Sequence, residues 1–316
     1  MVMAVEDNRA YGGGIAVLNA LRGKLLHNEP LAKYTSWRVG GPADRFYRPA
    51  DREDLKRLLV TLPADEPLFW MGLGSNLLVR DGGFRGTVIH TAQCLNVMRS
   101  TACHRLYVES GVPCAHVARY CAQRGWSGAE FLAGIPGTMG GALAMNAGAF
   151  GGETWRLVEQ VTTVDRAGRC HIRTADAFDV GYRSVKVPEG EWFLAADLLL
   201  PEGDPDEASQ KIRSLLAQRA QTQPIGAASC GSVFRNPPGD YAARLIECCG
   251  LKGFCIGGAC ISEKHANFIL NIGGASAADI EDLIRHVMDE VERQQGVRLE
   301  TEVRIVGEPE TAAGDA

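Results

Sequence analysis

Residues 133–153 read AGIPGTMGGALAMNAGAFGGE, a composition that argues against both ordinary readings of the stretch. Glycine recurs too often for a plain helix or strand, because each glycine carries backbone freedom that a regular element must give up. Charge is almost absent, which sets the stretch apart from a solvated loop. Backbone of this kind wraps something flat or phosphorylated. One glycine-rich loop alone is usually a tight turn in which glycine supplies a positive φ. This chain has two. The second, GLGSNLLVRDGGFRG at 72–86, follows an apolar strand-like run and sets Gly72, Gly74 and Ser75 where backbone N–H groups approach an anion. Asn76 and Asn146 add polar handles.

The spacing excludes the two commonest nucleotide sites. Leu77 occupies the third glycine position of G-x-G-x-x-G, so the dinucleotide fingerprint fails, and no G-K-[ST] is present for a P-loop.

A chain of 316 residues exceeds one ordinary core and predicts two or three packed modules. With 46% hydrophobic and 22% charged residues the chain is an ordinary folded protein. A net charge of -5 argues against nucleic acid, which demands a concentrated basic face. No uninterrupted apolar run approaches the ~18 residues of a membrane span, and the N-terminus lacks a secretory pattern. The expectation is a cytoplasmic monomer. The ten cysteines are scattered with no C-x-x-C, and the histidines lack ligand spacing, so no metal is expected and most thiols should be small buried hydrophobes.

Residues 1–20 and 308–316 are expected to be mobile ends. Between them, β-like runs at 68–71, 87–90, 106–109 and 158–164 alternate with glycine clusters and short amphipathic helices, an α+β pattern. PEGDP at 201–205 marks a break, followed by an exposed helix over 207–221. The last third predicts a helix at 241–249 ended by Gly250 and a strand at 266–271. A helix at 277–295 capped by Ser276 and a strand at 298–306 complete it.

Seven blocks in fixed order carry a family resemblance: YTSWRVGGPA (34–43), GLGSNLLV (72–79), the 133–153 segment, GYRS (181–184), GSVFRNP (231–237), KHANFILN (264–271) and LETEVRIVG (299–307). Together they resemble the UDP-N-acetylenolpyruvoylglucosamine reductases, over roughly residues 25–307. The resemblance implies two FAD-binding subdomains of the vanillyl-alcohol-oxidase type, residues 21–90 and 91–204, followed by an α/β substrate-binding domain at 205–307. It implies NADPH as co-substrate and UDP-N-acetylglucosamine enolpyruvate as substrate. The flavin pyrophosphate would lie on Gly72, Gly74, Ser75, Asn76 and Leu77. The isoalloxazine would lie along Gly134, Ile135, Pro136, Gly137, Gly140, Gly141, Asn146 and Gly148. Neither loop contains His or Cys, so FAD should be held non-covalently.

Hydride addition to a vinyl terminus drives charge through the α-carbon into the carboxylate, and a fixed cation or hydrogen-bond donor must face it. By resemblance Arg183 and Glu302 stabilise that charge and Ser232 gives the proton. Asn236 and His265 match positions that touch the UDP-sugar, and Arg235 and Lys252 would contact its diphosphate. Tyr182 either lines the substrate pocket or fills a module junction. Thr35, Ser36, Gly40 and Gly41 are as well explained by capping a turn as by touching a ligand. The interval from Arg183 to Ser232 carries no tyrosine-bearing insertion, which implies the compact branch of the family and an open site. Cys230, two residues before Ser232, is expected to serve as packing, and its place beside the proposed acid also makes it a candidate for sensitivity to thiol reagents. Another flavin oxidase is the nearest rival, opposed by GSVFRNP and TEVRIVG. An inert flavin binder should have lost Arg183, Ser232 or Glu302, and all three are present.

Overall fold

A computed structural model describes residues 21–101 and 104–310. The expected mobile N-terminus and most of the expected tail lie outside those residues. The start of that tail, however, is bound: Glu308 bridges to Gly83, its N–H donating to the Gly83 carbonyl at 2.8 Å.

The first part contains β1 (Lys24–Pro30), β2 (Pro42–Arg48), helix α1 (Arg52–Thr61), β3 (Leu68–Met71), β4 (Leu77–Val79) and β5 (Phe84–His90). Its sheet has the order β1-β2-β5-β3, with β2 and β3 both parallel to β5. Asp51 caps α1 by accepting from the Asp54 N–H, and Leu55, Leu58 and Leu59 fall on one face, buried against Tyr47 and Ile89.

The middle part runs through β6 (Met98–Ser100), β7 (Arg105–Glu109), α2 (Cys114–Ala122), α3 (Met139–Met145), β8 (Gly148–Ala149) and β9 (Gly152–Glu153). It continues with β10 (Val158–Asp165), β11 (Cys170–Thr174), β12 (Asp179–Gly181), β13 (Ser184–Lys186) and β14 (Glu191–Leu199). An antiparallel sheet of order β11-β10-β14-β7-β6 forms its base. The glycine-rich segment does include a short helix, α3, contrary to its composition. Close packing accounts for it: a Cβ at Gly140 would stand 2.8 Å from Ser110 Cβ. Asn146, left-handed at φ 46, then stops the helix.

Helix α4 (Pro205–Thr222) packs on the middle part, its buried Ala208 and Ile212 lying in that core, and the last part holds α5 (Ala242–Cys248), β15 (Cys255–Ile256), β16 (Ala259–Ile261), β17 (Ile269–Asn271), α6 (Ala277–Gln295) and β18 (Arg304–Val306). Ser276 and Asp279 form a reciprocal capping box on α6. The two strands expected in this region shorten to three residues each, and β18 pairs in parallel with β4 of the first part. The YTSWRVGG turn joins the same two regions. Trp37 is fully buried in the core of the last part, and its indole N–H donates to the Ile269 carbonyl at 2.8 Å. Thr35 Oγ1 closes the turn on the Val39 carbonyl at 2.8 Å.

The cysteines depart from expectation. Cys114, Cys121 and Cys230 are buried, but Cys170 and Cys248 are exposed, and Cys255 and Cys260 form a disulfide across the β15–β16 hairpin.

Candidate active site

The two glycine loops face each other. A Cβ at Gly72 would stand 2.4 Å from Thr138 Oγ1, and one at Gly137 would stand 3.5 Å from Ser75 Oγ. Gly74 has φ +59, and a Cβ there would fall 2.1 Å from the Tyr34 carbonyl oxygen, so only glycine fits. Between the loops opens a cavity of about 760 Å³. Its walls include Gly72–Leu77 of the first loop, Gly134–Gly137, Gly140, Gly141 and Gly148 of the second, and the apolar Met145, Trp192 and Phe193. Glycine-loop backbone together with apolar side chains suits a dinucleotide carrying a large planar ring.

Ser232, Glu302, Asn236, Tyr182 and Arg183 line the same cavity, so residues far apart in sequence converge on it. Tyr182 and Arg183 form the tight turn between β12 and β13, where Gly181 pairs with Ser184. Arg183 is left-handed at φ 53, a conformation that costs a non-glycine residue about 1–2 kcal/mol. Three hydrogen bonds hold it there: Nε to Glu302 Oε1 at 3.1 Å, Nη2 to the Gly148 carbonyl at 2.7 Å and Nη1 to the Asn146 carbonyl at 3.5 Å. Tyr182 is half exposed on the wall and sits beneath the guanidinium, whose carbon is 5.2 Å from the ring centroid.

Glu302 reaches the site from the last part. Its N–H donates to the Val233 carbonyl at 2.8 Å, which sets it beside the strand-like GSVF run that presents Ser232. Burial raises the Glu302 pKa above the ordinary glutamate range, and Arg183 and then Arg235 pull it partly back. Ser232 follows Gly231, which needs its φ of +77, and among the described residues its hydroxyl has no side-chain partner. Asn76 clamps the assembly: its Nδ2 donates to the Glu302 carbonyl at 3.0 Å, tying the first glycine loop to the Glu302 segment.

Several expected contacts fall elsewhere. Asn146 is buried off the cavity wall, its amide spent on the Gly181 carbonyl at 3.1 Å and its side-chain oxygen on the Trp155 N–H at 3.2 Å. Lys252 is paired with Glu247 at 2.7 Å, and His265 packs on Phe268, both away from the wall. Arg235 also lies off the wall, donating to the Arg183 carbonyl at 3.3 Å, and its charge lowers the Glu302 pKa. Asn236 lines the cavity while its Oδ1 accepts from the Ala242 N–H at 3.1 Å. Cys230 packs, as expected, and its candidate reactivity is disfavoured: the thiol is buried, its pKa pushed up to about 12, and it points at the Leu77 carbonyl at 3.4 Å.

Two cations on the wall were not singled out by sequence, Arg219 and Arg304. Arg304 was legible in principle, because it stands two residues beyond Glu302 and alternate strand positions share a face. It pairs in register with Leu77 of the first loop. Arg219 carried no such signal, since its helix reads as a solvated surface element. Among the described residues no three His, Cys, Asp or Glu side chains converge as a metal site, and no helix is long and apolar enough to cross a membrane.

Comparison with known proteins agrees with this geometry. Residues 43–173 match the model of an FAD binding domain, and residues 223–306 match the model of the UDP-N-acetylenolpyruvoylglucosamine reductase C-terminal domain. A curated UDP-N-acetylenolpyruvoylglucosamine reductase of Methylococcus capsulatus is 63% identical over 91% of this chain and 94% of its own length. One from Alkalilimnicola ehrlichii is 60% identical over 92% of this chain and 97% of its own length. A crystal structure of the reductase from Thermus caldophilus superposes with a TM-score of 0.78 at 34% identity, covering 90% of this chain and 99% of that one.

Proposed function

The chain belongs to the UDP-N-acetylenolpyruvoylglucosamine reductase family, and on that premise we propose that it uses NADPH, in the cytoplasm, to reduce UDP-N-acetylglucosamine enolpyruvate to UDP-N-acetylmuramate for peptidoglycan synthesis. The observation that carries this reading is the contact of Arg183 with Glu302 on the wall that also presents Ser232.

FAD fits the cavity: the backbone of Gly72, Gly74 and Ser75 lines it where a pyrophosphate would be held, and Arg304, in register with Leu77, puts a cation on the same wall. FAD held there would supply the redox chemistry, carrying a hydride equivalent from NADPH to the vinyl carbon of the substrate. The remaining work belongs to the protein. Arg183 has five N–H donors, and its three internal bonds leave two for the substrate carboxylate as charge develops there. Its guanidinium stays protonated throughout and is held in place by Glu302 and two backbone carbonyls, so little reorganisation is needed.

Ser232 Oγ protonates the α-carbon. A serine hydroxyl is a weak acid, but a carbanion-like centre is a strong base, and the transfer is favourable if the resulting alkoxide is stabilised. Glu302, raised by burial, is suited to share a proton with that network. Because NADPH and the enolpyruvate would use one cavity, ping-pong kinetics and substrate inhibition are expected.

The test is anaerobic stopped-flow absorbance near the flavin band. NADPH should bleach the protein, and the enolpyruvate should restore the colour without oxygen. Bleaching without recovery would remove the assigned substrate while leaving the flavin site standing.

A further inference from the structure

Arg219 projects from α4 onto the cavity wall with its positive charge uncompensated. The course of α4 explains how it arrives there. Lys211 pairs with Glu130 at 3.4 Å, and further along the Ala220 carbonyl accepts from Lys264 Nζ at 2.6 Å. The helix thus runs from the turn that leads into the second glycine loop to the loop that brings Asn267 and Phe268 into the cavity. Arg219 stands at that second end.

Its Nε donates to Gln223 Oε1 at 3.0 Å, and Gln223 also lines the cavity. Among the described residues no carboxylate lies within ion-pair distance of Arg219. Arg183, on the same wall, has Glu302. The Arg219 guanidinium is half-buried, and burial alone lowers its pKa because no acid offsets the lost hydration. A buried charge left unpaired is costly, so a counter-ion arriving from outside would recover much of that cost. Arg304 already supplies the cation beside the first glycine loop. Arg219 is therefore free for a different anion.

We propose that Arg219, oriented by Gln223, binds a phosphoryl group of the nucleotide that enters the cavity beside the cofactor. Guanidinium geometry matches phosphate oxygens in a bidentate manner. Two nucleotides bring that chemistry, the UDP-sugar through its diphosphate and NADPH through its phosphates. This assignment rests on the reaction proposed above.

The experiment uses FAD-loaded wild type, R219Q and R219K. Flavin difference spectra give the Kd of UDP, and anaerobic stopped-flow gives the apparent Kd of NADPH in the reductive half-reaction, each over a range of salt. R219Q should weaken at least one ligand by about tenfold or more, as loss of a charge-assisted hydrogen bond requires, with a flatter salt dependence. R219K should keep most of the affinity. Loss confined to UDP assigns the diphosphate of the sugar nucleotide, loss confined to NADPH assigns its phosphates, and loss of both marks a shared phosphoryl site. Unchanged Kd values for both ligands in R219Q would overturn the proposal, as would loss of FAD or a shifted flavin potential with both values unchanged. Wild-type turnover of the enolpyruvate is read separately, so failure of the assigned reaction is distinguishable from failure of Arg219.

Discussion

Arg183 Nε lies 3.1 Å from Glu302 Oε1, a contact between residues 119 positions apart that joins the β12–β13 turn to the strand-like approach to β18. Arg183 holds down a Glu302 pKa that burial raises, so removing the cation should raise it further. In R183M the loss in the enolpyruvate half-reaction should be about 10²–10³-fold, the usual effect of deleting one preorganised donor. Any limb of the pH profile that reports Glu302 ionisation should move to higher pH. Flavin reduction by NADPH, measured separately, should lose much less.

Ser232 is assigned to the step after hydride transfer. S232A should therefore bleach normally with NADPH but recover with the enolpyruvate about 10²–10⁴-fold more slowly, the range of a lost general acid. S232C, which restores a proton at nearly the same place, should regain part of the rate. Equal recovery in wild type and S232A would remove Ser232 as the donor.

Gly74 is held at φ +59 with the Tyr34 carbonyl where a Cβ would sit. G74A should distort the first loop at a cost of about 1–3 kcal/mol. The ratio of flavin to protein absorbance after purification should fall well below that of wild type, while thermal unfolding of the apoprotein drops by only a few degrees.

His90 is buried beside Tyr34 and Phe46, and burial lowers its pKa from 6.5 to about 4. The folded state thus binds its proton more weakly than the unfolded chain. Its contribution to stability is present above pH 6.5 and is lost as the pH falls towards 4, at ~1.4 kcal/mol per pH unit. Urea unfolding of the apoprotein should show this slope in wild type and a shallower one in H90F.

Cys230 is shut away while Cys170 and Cys248 are exposed. Alkylation of the native protein followed by peptide mass mapping should label the exposed pair and spare Cys230. Activity should survive the treatment, and labelling of Cys230 should appear only on unfolding.

The short-range features of this molecule were fixed by local chemistry. Ser276 announces the start of α6 because its hydroxyl can accept from an N–H three residues on, and PEGDP announces α4 because proline suits a first helical turn. The glycine loops were legible for a similar reason, since a left-handed φ or a close approach admits little else. The order of the motifs then identified the family, and with it Arg183, Ser232 and Glu302. What sequence left undecided was which side chains have spare hydrogen-bonding capacity. Asn146 looks like a ligand contact until the fold supplies Gly181 and Trp155 as partners for its amide. Whether Cys230 packs or reacts stays open in the sequence, and the fold decides for packing by burying it against Leu77. Arg219 looks like one more surface cation until α4 lays it on the cavity wall without a carboxylate. Burial and pairing depend on neighbours brought in from distant positions, so the tertiary structure alone decided them.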